Sequence, residues 1–277
     1  MRADRLGIRW TIGDVSPFGF EALRLSIWGA WKIFGPSAAY VVCVNTVPVD
    51  RVRAWTGDVP PGVRWHRSTR DQIPRFLRTR IDPGMAEGAG WKFAPIRLFP
   101  DRYELSLDND CILWETPAAI REWLERGDPE LCVLAQDVAA CYGQFADIGG
   151  TEPRNAGIRG LPPGFDFEAV LRDILAGRTG TLCVEGDEQG LQAAAVAYAR
   201  PPLLVNIEEV TICSPFPPHL PHLGRCGAHF VGLNAKSLPW ELDGRNGAEY
   251  IREHWLRHRD ALYQKVGISP RPPAGLP

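Results

Sequence analysis

Residues 103–114 read Tyr103-Glu104-Leu105-Ser106-Leu107-Asp108-Asn109-Asp110-Cys111-Ile112-Leu113-Trp114. Positions 103–107 have the composition of a buried strand, and Cys111, Ile112 and Leu113 resume an apolar run directly after two carboxylates. Carboxylates one residue apart beyond a strand face the crevice where parallel sheets bind ligands. There a hard divalent cation can bridge them to a diphosphate. An Asp-x-Asp triplet is itself common, about one in a chain of this size at ordinary acidic content. Its placement is what counts, because two carboxylates between buried runs are costly unless a cation or other partner compensates them.

Outward from this stretch, strand and helix signals alternate. Residues 6–13 predict a strand ending in the turn chemistry of Gly13-Asp14 and Ser16-Pro17. Apolar positions Ala22, Leu23, Leu25, Ile27, Trp28, Trp31 and Ile33 predict a mostly buried helix over 18–34, closed by Gly35-Pro36. By the same periodicity Trp10, Trp28 and Trp31 are core residues. Residues 39–45 form a continuous β-branched run, as in a strand covered on both faces. A short helix follows Pro48, and 63–67 make a third strand. Downstream, 116–126 predict an amphipathic helix with Thr116 as N-cap and Pro117 in its first turn, and 131–135 another buried strand. This rhythm predicts an α/β fold with a largely parallel sheet. The second half is less regular. Residues 167–175 and 188–199 read as helices and 203–213 as an extended strand or hairpin arm. Residues 214–223 read as a Pro- and His-rich loop, 246–266 as a terminal helix of alternating charge, and 269–277 as a Pro-rich tail.

Composition sets outer bounds. The chain has 277 residues, 45% hydrophobic and 23% charged, which suits a folded domain and not a disordered one. No linker divides it, so 1–268 are read as one domain, with a nucleotide-binding half near 1–137 and an acceptor half near 138–268. Lys plus Arg (31) against Asp plus Glu (33) give a net charge of −2, which offers nucleic acid no basic surface. The opening MRADRLGIRWTIGD has no apolar core of a signal peptide, and no stretch approaches the ~20 apolar residues of a membrane span. Seven cysteines without a CxxC pair predict free thiols and a cytoplasmic location.

Further residues could carry chemistry. His229 ends a short apolar stretch among Gly227, Gly232 and Asn234, with Lys236 nearby to meet an anion. Asp187, Glu188 and Gln189 open a helix; capping accounts well for Asp187 and less well for Gln189. Asn155-Ala156-Gly157 reads as a turn able to present an amide to a sugar hydroxyl. Lys92 lies just before the Asp108 strand, and alone would be read as a surface lysine. Cys213, His219, His222 and Cys226 place zinc-type ligands within fourteen positions, in a spacing that matches no zinc pattern.

Taken in order, Lys92, Leu107-Asp108-Asn109-Asp110, Asn155-Ala156-Gly157, Glu188-Gln189 and His229-Phe230-Val231-Gly232 resemble the motifs of GT-A nucleotide-sugar glycosyltransferases. They are most similar to those of the glycogenin and lipopolysaccharide galactosyltransferase family. The resemblance spans roughly residues 7–240. It departs from the family where Lys236 is separated from Pro239-Trp240 by Ser237-Leu238. It implies a GT-A-like, Rossmann-like mixed sheet, mostly parallel and flanked by helices. It also implies a metal-dependent glycosyltransferase moving a sugar, with retention, from a nucleotide-diphosphate sugar, a UDP-sugar first among them, to an unidentified acceptor. Asp108, Asp110 and His229 would hold Mn2+ (or Mg2+) in this DXD arrangement, Asp108 also facing the ribose. Thr11, Gly13, Asp14, Lys92, Asn109, Asn155, Gly157, Gly232 and Lys236 would bind the donor. Asp187, Glu188 and Gln189 would stand at the reacting carbon. Acceptor specificity would come from the segments 139–164 and 214–225. The alternatives are a non-catalytic GT-A-like nucleotide or glycan binder and a sugar-phosphate nucleotidyltransferase. The second wants a Gly-rich basic phosphate loop, and Gly13-Asp14-Val15-Ser16-Pro17 is not one. A metal-dependent α/β hydrolase is disfavoured by the Asn155 and Gln189 motifs.

Overall fold

The computed structural model describes residues 5–82 and 90–270, so most of the Pro-rich tail lies outside the described residues. In chain order the elements are β1 (Leu6–Ile12), α1 (Pro17–Phe34), β2 (Ala39–Val44), α2 (Val49–Thr56), β3 (Val63–Arg67) and a single turn α3 (Arg75–Arg78). Next come β4 (Tyr103–Asp108), β5 (Cys111–Leu113), α4 (Ala118–Arg126), β6 (Val133–Gln136), a single turn α5 (Ala146–Gly149) and β7 (Arg154–Leu161). The chain continues with α6 (Phe167–Ala176), α7 (Glu185–Val196), β8 (Leu203–Val205), β9 (Val210–Ile212) and β10 (Gly227–His229). It ends with the short pair β11 (Glu241–Leu242) and β12 (Arg245–Asn246), then α8 (Gly247–Val266).

Seven strands form the central sheet in the order β3-β2-β1-β4-β7-β6-β8. All run parallel except β7, which lies antiparallel to both β4 and β6. A second sheet of three strands, β5-β10-β9, begins where the chain leaves β4. Both the α/β class and the mostly parallel sheet are as the sequence predicts.

Helix α1 joins the two sheets. Ser16 caps it by accepting from the Gly19 amide, Pro17 supplies the preset first-turn φ, and Gly35 ends it at φ 75°. Phe20, Leu23, Ile27, Ala30 and Phe34 recur at helical spacing and pack on the central sheet with Ile8, Trp10 and Val42. Ala22 and Leu25 face the second sheet and α8, beside Ile112, Ala228 and Trp255. The approach is close enough that a Cβ on Gly29 would lie 2.0 Å from the Leu113 carbonyl oxygen. The Trp10 indole donates to Ser26 Oγ (2.8 Å), and Ser26 donates onward to the Cys111 carbonyl (2.5 Å), so these two buried donors are paired. Trp28 and Trp31 are only partly buried but do pack against these cores.

Several local expectations are corrected. Thr116 does not cap α4: Pro117 holds the cap position, and the first free amide, Ala118 N, is met by the Glu209 carboxylate from far along the chain. Helix α7 starts at Glu185, not at 188. Residues 203–213 divide between β8 in one sheet and β9 in the other. The segment 139–164, expected to supply a variable acceptor loop, contains α5 and β7. Asn155-Ala156-Gly157 is no free turn. It lies in β7, where the register against β6 slips between Leu134 and Ala135, and Asn155 Oδ1 accepts from the Gly157 amide (2.7 Å), a turn-like bond inside a bulged strand.

The face of the sheet opposite α1 buries charge. Arg9 on β1 and Glu104 on β4 are both fully buried and lie 3.5 Å apart. Glu104 Oε2 accepts from the Leu98 and Phe99 amides (2.7 and 2.8 Å), and Arg9 Nη1 donates to the Pro95 carbonyl (2.7 Å). Removing one member of such a pair strands the other charge, at a cost of about 3–5 kcal/mol. Glu104→Gln is therefore expected to lower the unfolding free energy by about 3 kcal/mol, measured by chemical denaturation. A loss below about 1 kcal/mol would mean that Arg9 is held by its other partners alone.

Candidate functional site

The site is built where the two sheets part. Asp108 is the last residue of β4, Asn109 and Asp110 make the turn, and Cys111 opens β5. His229 ends β10 directly opposite Cys111, so antiparallel pairing delivers the imidazole to the two carboxylates. Its Nε2 lies 3.3 Å from Asp110 Oδ1 and 3.6 Å from Asp108 Oδ2. One ligand atom from each of the three residues falls within 4.8 Å of the others. Asp110 Oδ1 and His229 Nδ1 are buried without a hydrogen-bond partner among the described residues. A buried carboxylate oxygen that meets only the His229 imidazole, at 3.3 Å and in poor hydrogen-bond geometry, is expensive in a folded chain, and a divalent cation among oxygen and nitrogen ligands would satisfy it. The residues therefore fit the metal that the sequence reading assigns to them.

Lys92, in a 3₁₀ turn (Gly90–Phe93), reaches Asp108 at 2.9 Å and Glu188 at 3.6 Å. It is no surface lysine, its side chain being 21% exposed. Burial pulls its ammonium down, but the Asp108 and Glu188 carboxylates more than reverse this and leave it above its ordinary value. Glu188 is buried at the start of α7 with Oε1 unpaired. Burial pushes its carboxyl up to about 7, with Lys92 opposing and Asp108 adding to the rise. For His229, burial lowers the pKa, but Asp110 and Asp108 raise it by more, for a net rise.

The neighbouring pair on α7 divides by role. Asp187 lies one residue before Glu188, yet Oδ1 accepts from Gln144 N and Oδ2 from Cys183 N and Val184 N. Its carboxylate thus closes the helix start and an adjoining loop, the capping role noted for it above. Gln189 Nε2 donates to the Cys141 carbonyl (3.1 Å), which leaves Oε1 without a hydrogen-bond partner among the described residues. Asn155 Nδ2 donates to Asp137 (3.0 Å), and Gly157 packs so tightly that a Cβ would lie 2.4 Å from His229 Cε1.

Asn109 turns away from the carboxylates. Its amide exchanges hydrogen bonds with Asn234 and donates to the Gly19 carbonyl (3.1 Å), so its side chain is committed within the fold. Asn234 also donates to Asp110 Oδ2 (3.0 Å), fixing the carboxylate whose other oxygen is unpaired. This orienting role was not read from the sequence, where Asn234 registers only as a neighbour of His229. Lys236 meets Asp14 at 2.6 Å, and Ser16 bonds the backbone of Leu233 and Asn234. The Gly232–Lys236 segment is thereby docked on the turn after β1, the strand whose Thr11 is in register with Asp108. Gly232 takes φ 81°, which glycine adopts without strain.

Cys213, His219, His222 and Cys226 do not converge as a ligand set. His222 is exposed, the His219 ring pairs with the Phe216 carbonyl, and the Cys226 thiol faces Glu209 and Arg225. No helix among the described residues is long and apolar enough to cross a membrane.

No family profile matches the sequence, and no curated protein matches it. Among solved structures the chain is similar to the galactosyltransferase LgtC in complex with donor and acceptor sugar analogs. That match has a TM-score of 0.49 and 11% identity, over 96% of this chain and 97% of that one. It is similar to an active-site mutant of LgtC at a TM-score of 0.48 and 13% identity, over 91% and 95% of the two chains. Mouse xyloside xylosyltransferase 1, in its apo form, gives 0.48 and 12%, over 76% and 88%.

Because Glu188 binds its last proton near 7 when folded and near 4.5 when unfolded, the folded chain holds an extra proton between those values. Stability contributed at this residue is therefore lost as pH rises through that window. In metal-free protein, Glu188→Gln is expected to change stability little at pH 4.5 and to raise it by about 2 kcal/mol at pH 8. Paired denaturation curves at the two pH values check this. Equal effects at both would place the Glu188 pKa near its ordinary value.

Proposed function

We propose that this chain is a metal-dependent glycosyltransferase that moves a sugar, with retention, from a nucleotide-diphosphate sugar to an acceptor. The observation carrying the reading is the convergence of Asp108, Asp110 and His229 around the unpaired Asp110 oxygen, at the carboxyl end of β4. Bound there, Mn2+ (or Mg2+) supplies Lewis-acid stabilisation of the charge that develops on the departing nucleotide diphosphate.

The chain's own groups then have assignable tasks. Asp108 and Asp110 provide hard oxygen ligands, and Asn234 holds Asp110 in orientation. Lys92 places a fixed cation beside Asp108 and Glu188, where the donor phosphate or sugar lies. Gln189, anchored through Nε2, offers Oε1 to the reacting carbon or a sugar hydroxyl, with Glu188 next to it in sequence and Asn155 as a further donor-binding group. Thr11, Gly13 and Asp14 line the nucleoside pocket, with UDP as the first nucleotide to test. Lys236, bridged to Asp14, closes that pocket on the diphosphate side.

A thermal-stability panel of nucleoside diphosphates, each with and without manganese, tests this reading. Wild type is expected to be stabilised only when metal and one particular base are both present, by about 2.7 kcal/mol at a hundredfold excess over Kd. Asp110→Ala should lose that joint stabilisation and also sugar transfer. Full transfer in this variant would overturn the reading. Gly157→Ala would place its methyl 2.4 Å from His229 Cε1 and 2.7 Å from Asn155 Oδ1. It is expected to weaken the manganese requirement's midpoint at least tenfold while leaving the far-ultraviolet spectrum of the fold unchanged; an unaltered midpoint would remove His229 from the site.

A further inference from the structure

A second cluster lies on the other side of the small sheet. Cys213 immediately follows β9, and His254 and His258 stand four residues apart on α8, hence on one helix face. One ligand atom from each lies within 4.8 Å of the other two. Cys213 and His254 are buried and His258 half-buried. Cys213 Sγ is 3.3 Å from His254 Nε2. A tetrahedral zinc with sulfur at ~2.3 Å and imidazole nitrogens at ~2.0–2.1 Å sets its ligand atoms roughly 3.4–3.6 Å apart. The thiol–imidazole separation of 3.3 Å is within about 0.3 Å of this.

His258 carries the support that metal-bound imidazoles have. Its Nε2 lies 3.1 Å from the Pro221 carbonyl, which can only accept, so this nitrogen is the donor and the neutral ring's lone pair sits on Nδ1. The His-x₃-His spacing on a helix is itself a zinc-ligand spacing. A buried Cys–His hydrogen bond alone would be ordinary core chemistry. The second imidazole, its carbonyl partner and the half-buried approach through His258 go beyond it.

We propose that Cys213, His254 and His258 form a binding site for a zinc-class divalent ion, separate from the Asp108–Asp110–His229 cluster. The thiolate and two imidazoles suit a soft or borderline ion over Mn2+ or Mg2+. On binding, a metal–sulfur bond forms, the thiol S–H bond breaks and its proton leaves to solvent; no electron is transferred. The bound ion fastens α8 to the end of β9. Three protein ligands leave one position for water or an exogenous ligand.

Cobalt(II) is the probe, added under reducing conditions to the chelator-treated full chain. One equivalent is expected to give a thiolate-to-cobalt charge-transfer band that zinc displaces. Cys213→Ser should lose the band, and His258→Gln, at a half-buried position, should lose or greatly weaken it in a folded protein. Asp110→Ala should keep it. Absence of a thiolate band in wild type would overturn the proposal. So would a band that survives Cys213→Ser, which would report the exposed Cys141 or Cys183, or one that His258→Gln leaves intact. Loss of the band in Asp110→Ala would likewise overturn the separateness of the two sites.

Discussion

The buried ion pair between Arg9 and Glu104 holds together the face of the sheet on which the candidate site is built. Neither charge reaches water, and each is compensated by the other and by the backbone of residues 95–99. Two apolar side chains could fill the same volume at equal or better stability, but they could not seize two amides and a carbonyl of a segment with no regular structure. That segment follows directly on the turn carrying Lys92. Glu104 and Asp108 are both on β4, four residues apart and so on one face of the strand. One strand thus anchors the polypeptide that carries the lysine and also presents the carboxylate that the lysine meets.

With His229 neutral, the three carboxylates of the site outnumber the Lys92 ammonium and the Arg159 guanidinium that act on them. Asp108, Asp110 and Glu188 converge on one ammonium and one imidazole. Without a cation, protons compensate part of this: burial first and Asp108 after it raise the Glu188 pKa, and Asp110 and Asp108 raise that of His229. A divalent ion on Asp108 and Asp110 would do the same work with charge instead of protons, releasing His229 to act as a neutral ligand and Glu188 to ionise. Protonation at this cluster and metal binding are in that sense competing solutions to one electrostatic problem.

What could be read from sequence was what rests on local pattern. Strands β1, β2 and β4 and helices α1 and α8 follow from apolar runs and cap residues within their own segments, and the Asp-x-Asp turn follows from its apolar flanks. What could not be read depends on partners distant in sequence. Nothing near Pro117 shows that Glu209 caps α4. The Asn155 triplet has turn chemistry and does make a turn-like bond, but its strand pairing comes from Ala135 on β6. Arg9 and Glu104 look like ordinary outward-facing strand residues, because alternation marks a second face without saying whether that face meets water. Asp187 was divided between capping and catalysis, and three backbone amides on its carboxylate account for its position.

The small sheet links the two clusters through one strand. Cys213 N donates to the His229 carbonyl at 2.7 Å, so the cysteine of one cluster and the histidine of the other share a backbone hydrogen bond. The next residue, Phe230, packs its ring against His254, Trp255 and His258 on α8 and donates its amide to the Asp110 carbonyl. Any displacement of α8 relative to β9 is therefore felt on both sides of His229, through its carbonyl and through Phe230. His229 Nε2 is useful only where it meets Asp108 and Asp110 together, and a shift near 1 Å would forfeit one of them. The helix that closes the chain is thus a support of the site as well as a cover for the core. An ion clamping Cys213 to α8 would act where that support is set.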